Sequence, residues 1–92
     1  MTVVKFFTTL RVFLGMSEIN LQDLVGNVEE LLKITESYTP KPFLHKLLDD
    51  QGRLITGSII LVNGHNILHL DGLETKLSDG DQVALFPPGG GG

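Results

Sequence analysis

The sequence predicts an α+β domain in which a mixed sheet is covered on one face by one main helix and a shorter second one. Three observations carry this expectation. Apolar, β-branched and aromatic runs stand near both ends of the chain, at residues 3–10 and 82–86. A capped amphipathic run begins at Asn27, and Asn63-Gly64 marks a tight hairpin in the second half.

Residues 3–10 are rich in valine, phenylalanine and threonine and read as a strand with apolar positions on both faces, as near the middle of a sheet. Residues 11–16 are irregular, with Gly15 as a turn. Glu18, Ile19, Asn20 and Leu21 alternate polar with apolar, which suits a strand antiparallel to the first. Asn27 is an N-cap with Glu30 three residues on, and Val28, Leu31, Leu32 and Thr35 follow a helical period, so residues 28–37 form the main helix. Pro42, then Phe43, Leu44, Leu47 and Leu48, and a closing Gly52 predict the shorter helix. Residues 58–62 form a buried strand, Asn63-Gly64 a type I′ turn and residues 65–68 the returning strand. After a turn at residues 78–81 the final strand runs to Phe86. Runs of strand around one principal helix fit a β-grasp roll, with the last strand beside the first at the sheet centre.

Ninety-two residues make one domain with a single modest core. A net charge of -4 leaves no basic stripe for a phosphate backbone, so nucleic acid is not the expected partner. No apolar run is long enough for a membrane span and no signal peptide is evident, so the expected location is cytoplasmic. The chain has no cysteine, hence no thiol nucleophile and no thiolate metal site. His45, His65 and His69 lack metal-ligand spacing, and no metal is expected. Glu29-Glu30 and Asp49-Asp50 are solvated helix ends, Asp79-Gly80-Asp81 is a turn without the calcium-loop pattern, and Ser58 has no nucleophile elbow or base. The fold is therefore expected to hold no self-contained active site and to bind no cofactor.

The remaining candidate is the C-terminus. Pro87 and Pro88 end the last strand because neither can donate a ladder hydrogen bond. Gly89, Gly90, Gly91 and Gly92 follow, with no side chains to pack. The division expected is a folded domain over residues 1–86 and a flexible tail over residues 87–92, reaching roughly 20 Å if extended. Two readings stay open on the tail alone: a terminal carboxylate that enters a narrow channel of another protein, or a frayed end.

Residues 73–92 resemble the C-terminal signature of the MoaD family, the small ubiquitin-like subunit of molybdopterin synthase. Thr75, Leu77, Asp79, Gly80, Asp81, Val83, Phe86, Pro87, Pro88, Gly91 and Gly92 all fall on it at the family's distance from the end. Phe7-Thr8-Thr9-Leu10-Arg11, the helix around Val28-Glu29-Glu30-Leu31-Leu32, and Val62-Asn63-Gly64 are also similar to the family, so the resemblance covers essentially the whole chain. Two departures stand out. Gly89 and Gly90 replace the valine, alanine or serine common there, and residues 37–57 differ from the family pattern and are where partner choice is expected to be encoded.

The resemblance implies a ubiquitin-like β-grasp fold and a sulfur carrier. A MoeB-like adenylating enzyme would use ATP in trans to activate the Gly92 carboxylate, and a persulfide donor would convert it to a thiocarboxylate. A MoaE-like large subunit would then take sulfur for molybdopterin, the molybdenum or tungsten cofactor. On this reading Gly92 is the reacting residue and Gly91 gives clearance beside it. Gly89 and Gly90 give freedom, Pro87 and Pro88 stiffen the exit, and Phe86 packs at the sheet edge as a secondary docking candidate. Three alternatives remain open: a carrier for thiamin, cysteine or methionine sulfur, a ubiquitin-like protein modifier, or an interaction domain with an idle tail.

Overall fold

In the computed structural model, described over residues 1–89, strand β1 (Thr2–Phe6) is an interior strand, paired on both edges, that buries Val4 and Phe6 on one face. Strand β2 (Glu18–Leu21) pairs antiparallel with it, Val4 opposite Ile19. On its other side β1 is parallel to the last strand, with Val4 opposite Val83. Numbered in chain order, β3 is Ile59–Val62, β4 is His65–Asn66 and β5 is Gln82–Phe86, and the sheet order is β2-β1-β5-β3-β4. The expected mixed sheet, with first and last strands adjacent at its centre, is what forms.

The main helix, α2 (Val28–Tyr38), covers one face with Val28, Leu31, Leu32 and Thr35 buried. Its start is fixed as the capping pattern requires: Asn27 Oδ1 accepts from the Glu30 N–H at 2.9 Å. Glu30 reaches back in turn, but to the Gly26 N–H at 3.1 Å, one residue earlier than in the usual box. Phe6 and Phe43 meet edge to face, with centroids 5.6 Å apart, and close the core between sheet and loop.

Three local expectations are corrected. The first strand does not run to Leu10; it ends at Phe6, and a helix α1 (Thr8–Leu14) follows. Leu10 and Leu14, four residues apart, are both buried, and Gly15 closes the helix at φ 70° with its N–H on the Arg11 carbonyl. Burial at helical spacing overrides the β-branched composition. The second helix is one 3-10 turn, Leu44–Lys46. Asp49 Oδ1 then takes the N–H groups of Gln51 and Arg53, at 2.8 and 3.0 Å, diverting backbone donors from a helix. Phe43 and Leu47 are nevertheless core, as expected. The returning strand is only two residues long because Asn66 Oδ1 accepts from the Leu68 N–H and folds the chain into a 3-10 turn over Ile67–His69. The turn between β3 and β4 has positive φ at both Asn63 (52°) and Gly64 (85°), as a type I′ turn demands.

Candidate functional site

Strand alternation sets the surroundings of the exit. Val83 and Leu85 point into the core, so Ala84 and Phe86 point to the face of the sheet away from α2. Phe86 is not at a sheet edge: β5 lies between β1 and β3, with Ile59 opposite Phe86 and Leu61 opposite Ala84. Its ring stacks on Phe7, with centroids 4.6 Å apart and planes 10° from parallel. Both rings are half-buried, and with Ile59, Leu61 and Ala84 they form an apolar stripe across the outer face. A shallow groove of about 400 Å³ lies on this face, between Lys5, Phe7, Leu61, Asn63, Gly64 and Gln82.

The chain does not come free at the end of β5. Pro87 is buried and Pro88 half-buried. Pro88 rests on Gly57, where an added Cβ would stand 3.0 Å from the Pro88 Cβ and 3.5 Å from its Cα. Gly57 also has φ +96°, so a side chain is unfavourable there on two counts. The prolines thus belong to the packed body, and Gly89, exposed at φ 63°, is the first residue past it. Gly90, Gly91 and Gly92, including the expected reacting residue, lie outside the described residues.

The other sequence candidates have structural partners. Ser58 is buried and donates to the Leu47 carbonyl at 2.9 Å. Asp81 accepts from the Ser78 N–H and from Asn63 Nδ2, while Asn63 Oδ1 accepts from the Gln82 N–H at 2.9 Å. These bonds lock the hairpin turn to the start of β5. Asp79 pairs with the N-terminal ammonium. Among the described residues no group of three or more His, Cys, Asp or Glu side chains is placed to hold a metal, and no helix is long and apolar enough to cross a membrane.

Two contributors were missed in the sequence. Phe7 was readable in principle, since alternation sends it outward once Phe6 is inward. Gly57 carried no motif, because its role depends on a residue 31 positions away.

Comparison with known proteins agrees with this geometry. Residues 4–92 match the ThiS family. The chain is 34% identical over 90 residues to small archaeal modifier protein 3 of Haloferax volcanii, covering 97% of this chain and 96% of that protein. The solution structure of small archaeal modifier protein 1 from Methanosarcina acetivorans superposes with a TM-score of 0.73 at 36% identity, covering 99% of this chain and 95% of that one. CysO of Amycolatopsis orientalis, solved in a complex with BexX, shares the fold with a TM-score of 0.78 at 22% identity, covering 96% of each chain. A β-grasp body, a proline exit from its central strand and a glycine terminus therefore place this chain in the ThiS family of ubiquitin-like sulfur carriers, to which the MoaD-like proteins belong.

Proposed function

We propose that the protein carries sulfur as a thiocarboxylate on Gly92 and delivers it in molybdopterin synthesis. The observation that carries this reading is the built exit. Pro87 is buried and Pro88 packs on Gly57, so the chain is held to the body as far as Pro88, beside the Phe7–Phe86 stripe. A fixed root lowers the entropy lost when a short segment enters a partner's channel.

The chemistry needs the partners named by the resemblance. In a MoeB-like enzyme a Gly92 carboxylate oxygen attacks the α-phosphorus of ATP, pyrophosphate leaves, and the acyl carbon becomes a good electrophile. The terminal sulfur of a persulfide attacks that carbon and AMP leaves with the bonding pair. A thiol then cleaves the S–S bond of the acyl disulfide, yielding the thiocarboxylate and a new disulfide. A MoaE-like large subunit supplies the acids, bases and oxyanion donors for transfer to the pterin precursor. This chain supplies the carbonyl, the reach and the docking stripe.

A second reading is favoured by the 34% identical relative, which is named a modifier. The same acyl-adenylate, attacked by a lysine amine instead of a persulfide, gives an isopeptide bond to a target protein. Tagged protein recovered from cells under denaturing conditions separates the two. Molybdopterin delivery predicts free carrier with a thiocarboxylate end and loss of molybdenum-enzyme activity in a deletion strain. A ladder of larger species bearing Gly92-linked lysines, with molybdenum enzymes unaffected, would establish the modifier reading instead.

A further inference from the structure

The exit also borders a second surface, distinct from the Phe7–Phe86 stripe. Pro87 lines a groove of about 360 Å³ together with Thr9, Leu10, Val12, Phe13 and Lys46. Val12 is 81% exposed, an apolar side chain left almost bare at the groove's rim. The Lys41 and Lys46 ammonium groups both sit over the Phe13 ring, 4.2 and 4.6 Å from its centroid. The ion pairs among the described residues are Met1 with Asp79 and Lys33 with Glu29, so neither of these lysines has a carboxylate partner there. Two like charges converge on one ring, with no neutralising carboxylate among the described residues, in a protein of net charge -4.

Reach makes this rim part of any tail-receiving interface. With Pro88 packed on Gly57, Gly89 to Gly92 span at most about 14 Å when extended. A protein that takes up Gly92 must bring its channel mouth to within that distance of Pro88, and the groove begins at the neighbouring Pro87.

We propose that the groove at Val12, Phe13 and Lys46, with Lys41 over the same Phe13 ring, is a docking surface for an acidic protein segment beside the channel mouth of the adenylating enzyme. Its carboxylates pair with Lys41 and Lys46, and an apolar side chain covers Val12. The proposal rests on the carrier reading above and adds the partner's chemistry at this contact. It also gives residues 37–57 a role, since both lysines fall within them.

The test is steady-state adenylation by a purified MoeB-like enzyme, with pyrophosphate release as readout. The wild type is compared with K41E/K46E, with K41R/K46R, and with K33E/K76E as a charge-matched control on α2 and near its start. Circular dichroism confirms that each is folded. Charge reversal at the groove is expected to raise KM for the carrier about tenfold or more, with kcat within about twofold and a weaker salt dependence, because rim charges act mainly on encounter. The arginine pair should behave as wild type and the control should change KM less than about twofold. Adenylation of the wild type with an unchanged carrier KM in K41E/K46E would overturn the proposal alone, as would a raised KM for ATP instead. A wild type that is never adenylated would overturn the carrier reading and the proposal with it.

Discussion

At the scale of the residue, Gly57 is the described glycine at which an added side chain meets both a crowded neighbour and a left-handed backbone. Its neighbour Pro88 approaches to where a methyl group would sit, and its φ of +96° disfavours any L side chain. Gly57→Ala should lower unfolding free energy by about 1–3 kcal/mol, measured by urea denaturation, because the new Cβ meets proline ring and backbone. The NMR shifts of Gly89 should move as well, since the displaced Pro88 carries the exit with it. Unchanged stability and shifts would mean that the contact does not hold the exit. Phe86 shows how far residue-level reading reaches: its identity as a terminal aromatic was plain, but its seat on Phe7 required the register.

At the scale of the element, the helix cap and the loop after it make separate predictions. Asn27 Oδ1 satisfies the Glu30 N–H, and Asn27→Ala should cost about 1 kcal/mol in the same denaturation assay. In the 37–57 segment, Asp49 has its pKa lowered, chiefly by the Arg53 N–H and then by that of Gln51. A depressed carboxylate pKa contributes stability above its unfolded value, and the contribution disappears as pH falls through the folded one. Asp49→Asn should therefore be less stable than wild type at neutral pH, with the gap closing in acid below the ordinary aspartate range. A gap constant with pH would count against the charge-assisted turn. The elements read correctly were those with a local signature: the capping pattern of α2, the Asn-Gly turn and the strand before the prolines. Helix α1 was missed because threonine, valine and phenylalanine pointed to strand while only Leu10, Leu14 and Gly15 marked the helical period. The loop after Phe43 was misread because Asp49, a side-chain competitor for backbone donors, sits where leucine spacing alone suggests helix.

At the scale of the whole molecule, topology turns these pieces into a carrier. Placing β5 between β1 and β3 buries the last strand on the core side and leaves its end fixed by two neighbours, so the chain runs on into Pro87 from the middle of the sheet. Two surfaces of different character flank that point, an apolar stripe on the outer sheet face and a cationic groove beside α1. The sheet order was legible because a β-grasp roll brings first and last strands together. The groove was not, because Phe13, Lys41 and Lys46 come from segments that only the fold brings together. On the proposed function, the Gly92 carboxylate is the group on which this molecule works. Its most direct test is the intact mass of the purified protein after incubation with ATP, a MoeB-like enzyme and a persulfide donor, beside a chain lacking Gly92. Carrier chemistry at Gly92 requires replacement of one oxygen by sulfur in the full chain and no change in the shortened one. An unmodified full chain, under conditions where an established sulfur carrier reacts, or equal modification of the chain without Gly92, would contradict it.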